Sequence, residues 1–296
     1  MKPPDAKSRI VPKNILLARD FSSASEAALN HAMAIGGHYS SKLYIAHVIG
    51  QEFTDLLPPE VTTTRLEHAE ELTQQKMEQL VGAARQRGVQ CQTLIGQGAV
   101  WNALLDMIRQ NDIDLVVVGT HGRRGMRKLL LGSVAEEVFR LAPCPVLTVG
   151  PKTSETRAAD VQVRHVLYPL ELAPDSGDAA LYAVSLSEIY HAKLTLLKVF
   201  EDMVPSAEEK AQVQEPVRRW MDDHLPEPSG LRERTRFELG FGPAAQAILK
   251  CATDNGVDLV VMGVRRLAPL MAAHFEKPDT AYQVVCSAPC PVLTVR

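Results

Sequence analysis

The chain carries one domain-length pattern twice. Pro143-Cys-Pro-Val-Leu-Thr-Val149 recurs letter for letter as Pro289-Cys-Pro-Val-Leu-Thr-Val295, an offset of 146 (143 to 289). Asp114-Leu-Val-Val-Val-Gly119 returns as Asp258-Leu-Val-Val-Met-Gly263, and Gly96-Gln-Gly98 as Gly240-Phe-Gly242, both at an offset of 144 (119 to 263, 96 to 240). Val166-Leu-Tyr-Pro-Leu170 stands where Ile15-Leu-Leu-Ala-Arg19 stands in the first copy. Ordered matches at nearly one offset indicate a duplicated domain. A chain of 296 residues gives each copy enough length for its own core.

Within a copy, short Val/Leu/Ile runs alternate with helical stretches. The first copy shows strands near 14–18, 43–48, 89–95, 115–118 and 146–149, separated by helices near 23–36, 62–87, 99–111 and 133–141. Near-continuous apolar strands alternating with helices indicate a parallel sheet covered on both faces. The expected fold is α/β: two tandem Rossmann-like domains, each a five-stranded, mainly parallel sheet with helices on both faces. The expected boundaries are 1–150 and 163–296, joined by the polar segment 151–162. Ser23-Ala-Ser-Glu26 reads as a capping box opening the first helix, with Ala28, Ala32 and Ile35 on one face. The pair Gly96 and Gly98 reads as a turn.

Composition narrows the function classes. With 46% hydrophobic and 23% charged residues the chain is of the soluble globular type. A net charge of −3 argues against a nucleic-acid partner, which needs a broad basic surface. The cysteines at 91, 144, 251, 286 and 290 are few and odd in number, which fits a reducing cytoplasm better than a disulfide framework. The start, Met1-Lys-Pro-Pro-Asp-Ala-Lys7, lacks an apolar signal core, and no run approaches the roughly 18 apolar residues of a membrane span. A cytoplasmic protein without a membrane partner is expected. Cys286 and Cys290, four apart, could share a helical face, but no second pair supplies a metal's remaining ligands, so no metal site is expected. The two Pro-Cys-Pro motifs read as small buried residues before a final strand.

The chemistry concentrates between Val116 and Glu137. A buried-type strand, Leu115 to Val118, runs into a glycine-rich basic loop that ends at Gly132-Ser133, where a helix begins. Backbone N–H groups, a helix dipole and several cations would then face one anionic ligand, and phosphate suits them. The spacing is Gly119, two residues, Gly122, nine residues, Gly132-Ser133, which is neither the dinucleotide fingerprint nor the P-loop lysine motif. Bland alternatives stand beside each residue. Gly119 and Gly122 could serve a turn alone. Ser133-Val-Ala-Glu136 reads as a capping box, although a capped helix still points the Val134 and Ala135 amides outward. Asp20 could simply cap the turn after the first strand. His121 could touch phosphate or only decorate the loop, and most of Arg123, Arg124, Arg127 and Lys128 would be solvated. Asp20, Val48 and the loop after Gly119 all follow carboxyl ends of strands, so they could converge on one crevice.

This spacing resembles the nucleotide-binding signature of the universal stress protein family. Ile15-Leu-Leu-Ala-Arg-Asp20-Phe-Ser resembles the family's first strand with its acidic residue. Leu43-Tyr-Ile-Ala-His-Val48 resembles its second strand, and Ala142-Pro-Cys-Pro-Val-Leu-Thr-Val149 its last. The resemblance implies ATP or another adenine nucleotide as ligand, with or without Mg²⁺. The acid at Asp20 would contact the nucleoside and Val48 would line the adenine. The site so implied comprises Ala18, Arg19, Asp20, Val48, Val118, Gly119, His121, Gly122, Arg123, Gly132, Ser133, Val134 and Ala135. A nucleotide-dependent stress-response sensor or regulator is the expected function. A slow ATPase on the same site and a nucleotide-free interaction module are the alternatives. No catalytic constellation is legible, so weak ATP turnover is the most expected of it as an enzyme. Family members often dimerise through the last strand. Val146–Val149 and Val292–Val295 are apolar edge candidates, so an intrachain pseudo-dimer of the two copies is expected, with a homodimer of whole chains and unnamed protein partners left open.

The second copy departs from the signature. Gly263 is followed by Val264, Arg265 and Arg266, so the glycine matching Gly122 is absent. Counting back from the shared Pro-Cys-Pro puts Pro278 and Asp279 opposite Gly132 and Ser133, in a loop two residues longer (263 to 289 against 119 to 143). Asp279 would set a carboxylate where phosphate should lie. Glu171 stands near the place of Asp20. One nucleotide per chain, in the first copy, is the expectation.

Overall fold

Five apolar runs of the first copy become strands, and the stretches between them become helices. They form one compact unit, Pro12–Val161. Its elements are β1 (Asn14–Ala18), α1 (Ser23–Tyr39), β2 (Lys42–Gly50), α2 (Pro59–Gln86), β3 (Cys91–Gly98), α3 (Val100–Gln110), β4 (Leu115–Gly119), α4 (Ser133–Leu141) and β5 (Val146–Val149). A second unit comprises Met1–Val11 and Gln162–Arg296. It holds β6 (His165–Pro169), α5 (Gly177–Ile189), β7 (Lys193–Phe200), α6 (Ala207–His224), α7 (Leu231–Arg234), β8 (Thr235–Phe241), α8 (Ala244–Asp254), β9 (Leu259–Gly263), α9 (Thr280–Ser287) and β10 (Val292–Val295). The computed structural model describes residues 10–50, 59–120, 131–150, 161–171, 177–201, 206–225, 230–264 and 279–296.

Every strand pairing within a unit is parallel, in the order β3-β2-β1-β4-β5 in the first and β8-β7-β6-β9-β10 in the second. The central strands read as continuous apolar runs because helices cover both faces. Ile15, Leu16, Leu17, Leu43, Ile45, Val116 and Val117 are buried in one unit, and Val166, Leu167, Leu194, Leu196, Val260 and Val261 in the other. The β3 strand lies at the end of its sheet and alternates half-buried with exposed residues.

The duplicated acid before each fourth strand has the same task in both copies. Asp114 accepts from the Lys13 amide at 2.8 Å and the Asn14 amide at 3.2 Å, fixing the start of β1 beside β4. Asp258 accepts from the Arg164 amide at 2.9 Å and the His165 amide at 3.0 Å. Burial pushes the Asp114 carboxyl up, and the Lys13 and Asn14 amides oppose that.

Several local expectations are corrected. The N-cap of α1 is Ser22, not Ser23, and its hydroxyl accepts from the Ser25 amide. The reason is the preceding turn, in which Asp20 Oδ1 takes the Ser22 N–H at 3.0 Å and the Ser22 hydroxyl at 2.6 Å, so the helix can start directly after Ser22. Glu26 is therefore not the carboxylate of a capping box. Gly96 lies inside β3, not in a turn, because α3 packs on it: a Cβ there would meet Met107 Cε at 2.8 Å and Ala103 Cβ at 3.3 Å. Gly98 ends β3 at a φ of +100°, which does suit glycine. Cys286 lies in α9 while Cys290 follows its end, so the two share no helical face. Cys290 is buried before β10, as expected, whereas Cys144 is only half-buried. The Ile10 amide bonds Ser185 Oγ of α5 at 3.3 Å. Of the linker 151–162, only Val161 and Gln162 are among the described residues. Among the described residues, no helix is long and apolar enough to cross a membrane.

Candidate functional site

Strand order brings the carboxyl ends of β2, β1 and β4 side by side. Ala18 is level with Ala46 on one side and with Val118 on the other. Two residues further on come Asp20, Val48 and Thr120, so the three chain segments singled out by sequence lie at one edge of the sheet, Asp20 and Thr120 just past their strands and Val48 still in β2, paired with Gly96. Open α/β sheets bind ligands at this edge.

The turn after β1 is densely tied. Asp20 is half-buried and accepts from Ser22 as described above. Phe21 has a φ of 61°, the left-handed region that bulky side chains avoid. Arg19 is 8% exposed, and its guanidinium reaches Ser25 Oγ at 3.0 Å and the Glu26 carboxylate. Its carbonyl accepts the Nδ1–H of His47 at 2.6 Å. Val48 is half-buried, with Cγ2 3.7 Å from the Cβ that Gly96 lacks, so its side chain lies toward α3.

Gly119 ends β4 under the first turn of α1. A Cβ at Gly119 would stand 2.6 Å from the Ala24 carbonyl carbon and 2.8 Å from the Ser25 amide nitrogen. The close approach that demands glycine here is therefore made by the protein's own helix. Thr120 is buried, and its amide bonds the Val149 carbonyl at 2.9 Å. The Gly132 amide in turn bonds the Thr120 carbonyl at 2.9 Å. The chain that leaves at Thr120 thus returns to the same point at Gly132. His121, Gly122 and Arg123, with Arg124, Arg127 and Lys128, lie outside the described residues.

Helix α4 begins at Ser133 with Gly132 as N-cap and no side-chain cap. The expected Ser133–Glu136 capping box is thereby corrected. Ser133 is the first helical residue, one place too late to cap, and the Glu136 amide bonds the Gly132 carbonyl at 2.9 Å. The Glu136 carboxylate pairs with Arg140 at 3.0 Å instead of folding back. The amides of Ser133, Val134 and Ala135 have no carbonyl to bond within the helix, and the positive end of the helix dipole coincides with them. Such an end can hold an anion. Among the described residues no cluster of His, Cys, Asp or Glu could hold a metal.

The universal stress protein family model matches residues 12–150 and again 162–296. The chain belongs to the universal stress protein family. A universal stress protein of Methanocaldococcus jannaschii is 32% identical over 138 residues, covering 46% of this chain and 81% of its own length. One from Bacillus subtilis is 31% identical over 151 residues, covering 46% and 97%. Less than half of this chain thus spans most of either relative. Solved structures agree on the fold over the whole length. A universal stress protein from Archaeoglobus fulgidus has a TM-score of 0.68 at 18% identity, covering 96% of each chain. A putative one from Pseudomonas aeruginosa has 0.66 at 17%, covering 96% of this chain and 93% of its own.

The second repeat of this universal stress protein handles the same helix end differently. Asp279 is the N-cap of α9, and its carboxylate accepts from the Tyr282 amide at 2.6 Å. By helix position it matches Gly132, not Ser133 as counted from the Pro-Cys-Pro motif. The reason is that α9 has 8 residues against 9 in α4. The carboxylate satisfies one of the amides that a bound anion would otherwise take. Glu171 is exposed after β6, and Leu170 occupies the place of Arg19, its amide bonding Leu197 O at 2.8 Å as Arg19 bonds Ala46 O. His47 and Lys76, which the sequence does not single out, join the turn after β1: the His47 ring bonds the Arg19 carbonyl, and Lys76 of α2 lies over the Phe21 ring. The legible signal was Arg19, a cation closing an apolar strand run, which requires partners.

Proposed function

We propose that this universal stress protein binds one adenine nucleotide, ATP foremost and with or without Mg²⁺, in its first repeat, and serves as a nucleotide-dependent stress-response sensor or regulator. Ala18, Arg19, Asp20 and Val48 flank the nucleoside. Val118, Gly119, His121, Gly122, Arg123, Gly132, Ser133, Val134 and Ala135 surround the phosphates. The observation that carries this reading is the uncapped start of α4. Its N-cap is a glycine whose own amide is spent on Thr120, and the three amides after it open the helix that follows a sequence stretch rich in glycine and arginine. Backbone donors with a helix dipole and nearby cations suit a polyphosphate better than a neutral ligand. Family membership and the spacing of Gly119, Gly122 and Gly132-Ser133 support an adenine nucleotide within that class. In this reading the second repeat is a scaffold whose helix end is held by Asp279.

The test is to give the first repeat the second repeat's cap. Wild-type protein should show a raised melting temperature with ATP. Gly132→Asp should keep the ligand-free melting temperature, since Gly132 has the extended backbone of an ordinary N-cap, φ −63° and ψ 151°. The ATP-dependent rise should vanish in that variant. A rise of wild-type size in Gly132→Asp, or none in the wild type, contradicts the reading.

A further inference from the structure

Arg19 is a costly residue where it stands. A guanidinium buried at the end of a core strand gives up hydration that a partly exposed partner cannot replace, and the Glu26 side chain is 52% exposed against 6% for Arg19. Its Nε is buried with no hydrogen-bond partner. The fold does not need it, because the second repeat builds the same strand end with Leu170. Arg19 must therefore serve something that the first repeat has and the second lacks.

Its contacts tie the Asp20–Ser22 turn to β2 on one side and to α1 on the other. The Arg19 amide and carbonyl are fixed to β2, through Ala46 O at 2.8 Å and His47 Nδ1 at 2.6 Å. Its guanidinium is fixed to α1 through Ser25 and Glu26. Between these anchors it lies 5.3 Å from the centre of the Phe21 ring, which Lys76 of α2 also approaches at 5.3 Å and the His47 ring at 4.9 Å. Phe21 is thus held in its left-handed conformation by two cations and an imidazole. An unfavourable backbone conformation persists only where its surroundings over-determine it. We propose that Arg19 is a positioning residue for the nucleotide crevice: it locks the Asp20-Phe21-Ser22 turn so that Asp20 faces the nucleoside, without its side chain touching the ligand. This rests on the adenine-nucleotide reading above. The guanidinium acts as supporting shell, and Asp20 and Val48 line the crevice.

The test compares calorimetric affinities for adenosine and for ATP in wild-type protein, Arg19→Leu, Arg19→Lys and Glu26→Gln. If Arg19 positions the nucleoside end, Arg19→Leu weakens both ligands by one common factor of at least about tenfold, the value of one charge-assisted hydrogen bond. Glu26→Gln, an exposed change that spares the fold, should weaken both by a smaller common factor, and Arg19→Lys should fall between. Equal affinities in wild type, Arg19→Leu and Glu26→Gln would overturn the proposal, as would a loss confined to ATP, which would put Arg19 on the phosphates. Should Arg19→Leu fail to fold, Glu26→Gln and Arg19→Lys decide on the same criterion. A wild type that binds neither ligand overturns the adenine-nucleotide reading itself, and the positioning role falls with it.

Discussion

The two repeats share a framework and differ at one edge of it. Asp114 and Asp258 clamp their first strands alike, and Gly96 and Gly240 both sit under a helix, with a would-be Cβ 3.3 Å from Ala103 and 3.1 Å from Ala247 respectively. At the carboxyl edge the likeness ends. Arg19 faces Leu170 across the duplication, Asp20 faces Glu171, and the glycine cap of α4 faces the aspartate cap of α9. Strand pairing and helix packing tolerate little change, whereas groups on the loops beyond the strands diverge more freely. The duplication is therefore an internal control, because each prediction about the first repeat has a counterpart in the second.

The largest contrast is steric. Gly119→Ala would drive a methyl to 2.6 Å from the Ala24 carbonyl carbon, and backbone cannot step aside cheaply. Among the described residues, Gly263 has only Ala179 Cβ near, at 3.7 Å. Gly119→Ala is expected to cost about 3 kcal/mol in denaturant unfolding, and Gly263→Ala to stay within about 0.5 kcal/mol. Equal costs would break the contrast.

The next is electrostatic. His31, on α1, has its imidazole held down to about 4 by burial, from an ordinary 6.5. Its Nε2 is buried without a partner. Because the folded value is the lower one, the unfolded chain binds the extra proton between the two. Stability from the neutral ring is full above pH 6.5 and is lost as the pH falls toward 4, by roughly 3 kcal/mol. Counting 151 residues on, as the turn bonds Ser41–Gly36 and Ala192–Ser187 align, the second repeat has Tyr182 in place of an imidazole. Hydrogen exchange at pH 5 should therefore loosen α1 before α5, and His31→Gln should flatten the pH dependence. A wild-type slope retained by His31→Gln would count against this.

The smallest contrast lies at the helix caps. Asp279→Ala should cost about 1 kcal/mol through the lost bond to the Tyr282 amide. Ser133→Ala should stay within about 0.5 kcal/mol, because Ser133 does not cap α4. Chemical denaturation of the two variants separates these values. A cost near 1 kcal/mol for Ser133→Ala would restore the capping box.

The fold was legible because its signals were redundant. The repeated Asp114-to-Gly119 and Pro143-to-Val149 segments, the apolar runs and their spacing all require the same parallel sheet, and α4 starts and ends where the sequence places it. What escaped reading was decided by single contacts. Ser22 and Ser23 are equal candidates for a cap until the Asp20 side chain selects Ser22. Gly119 reads as a phosphate glycine, and only the position of α1 shows that the fold itself also requires glycine there. Aligned on the final strand, Asp279 falls beside Ser133, because a helix one residue shorter leaves no mark in the letters around it. The Arg19 network joins the turn after β1 to residues of β2, α1 and α2, and no local pattern announces such a convergence.

The central claim is that a single nucleotide binds in the first repeat of each chain. Titration calorimetry of the full chain with ATP and Mg²⁺ measures this directly. The account requires a stoichiometry near one that falls to zero in Gly132→Asp and is unchanged in Asp279→Ala. A stoichiometry near two, or one site that survives Gly132→Asp, would contradict it.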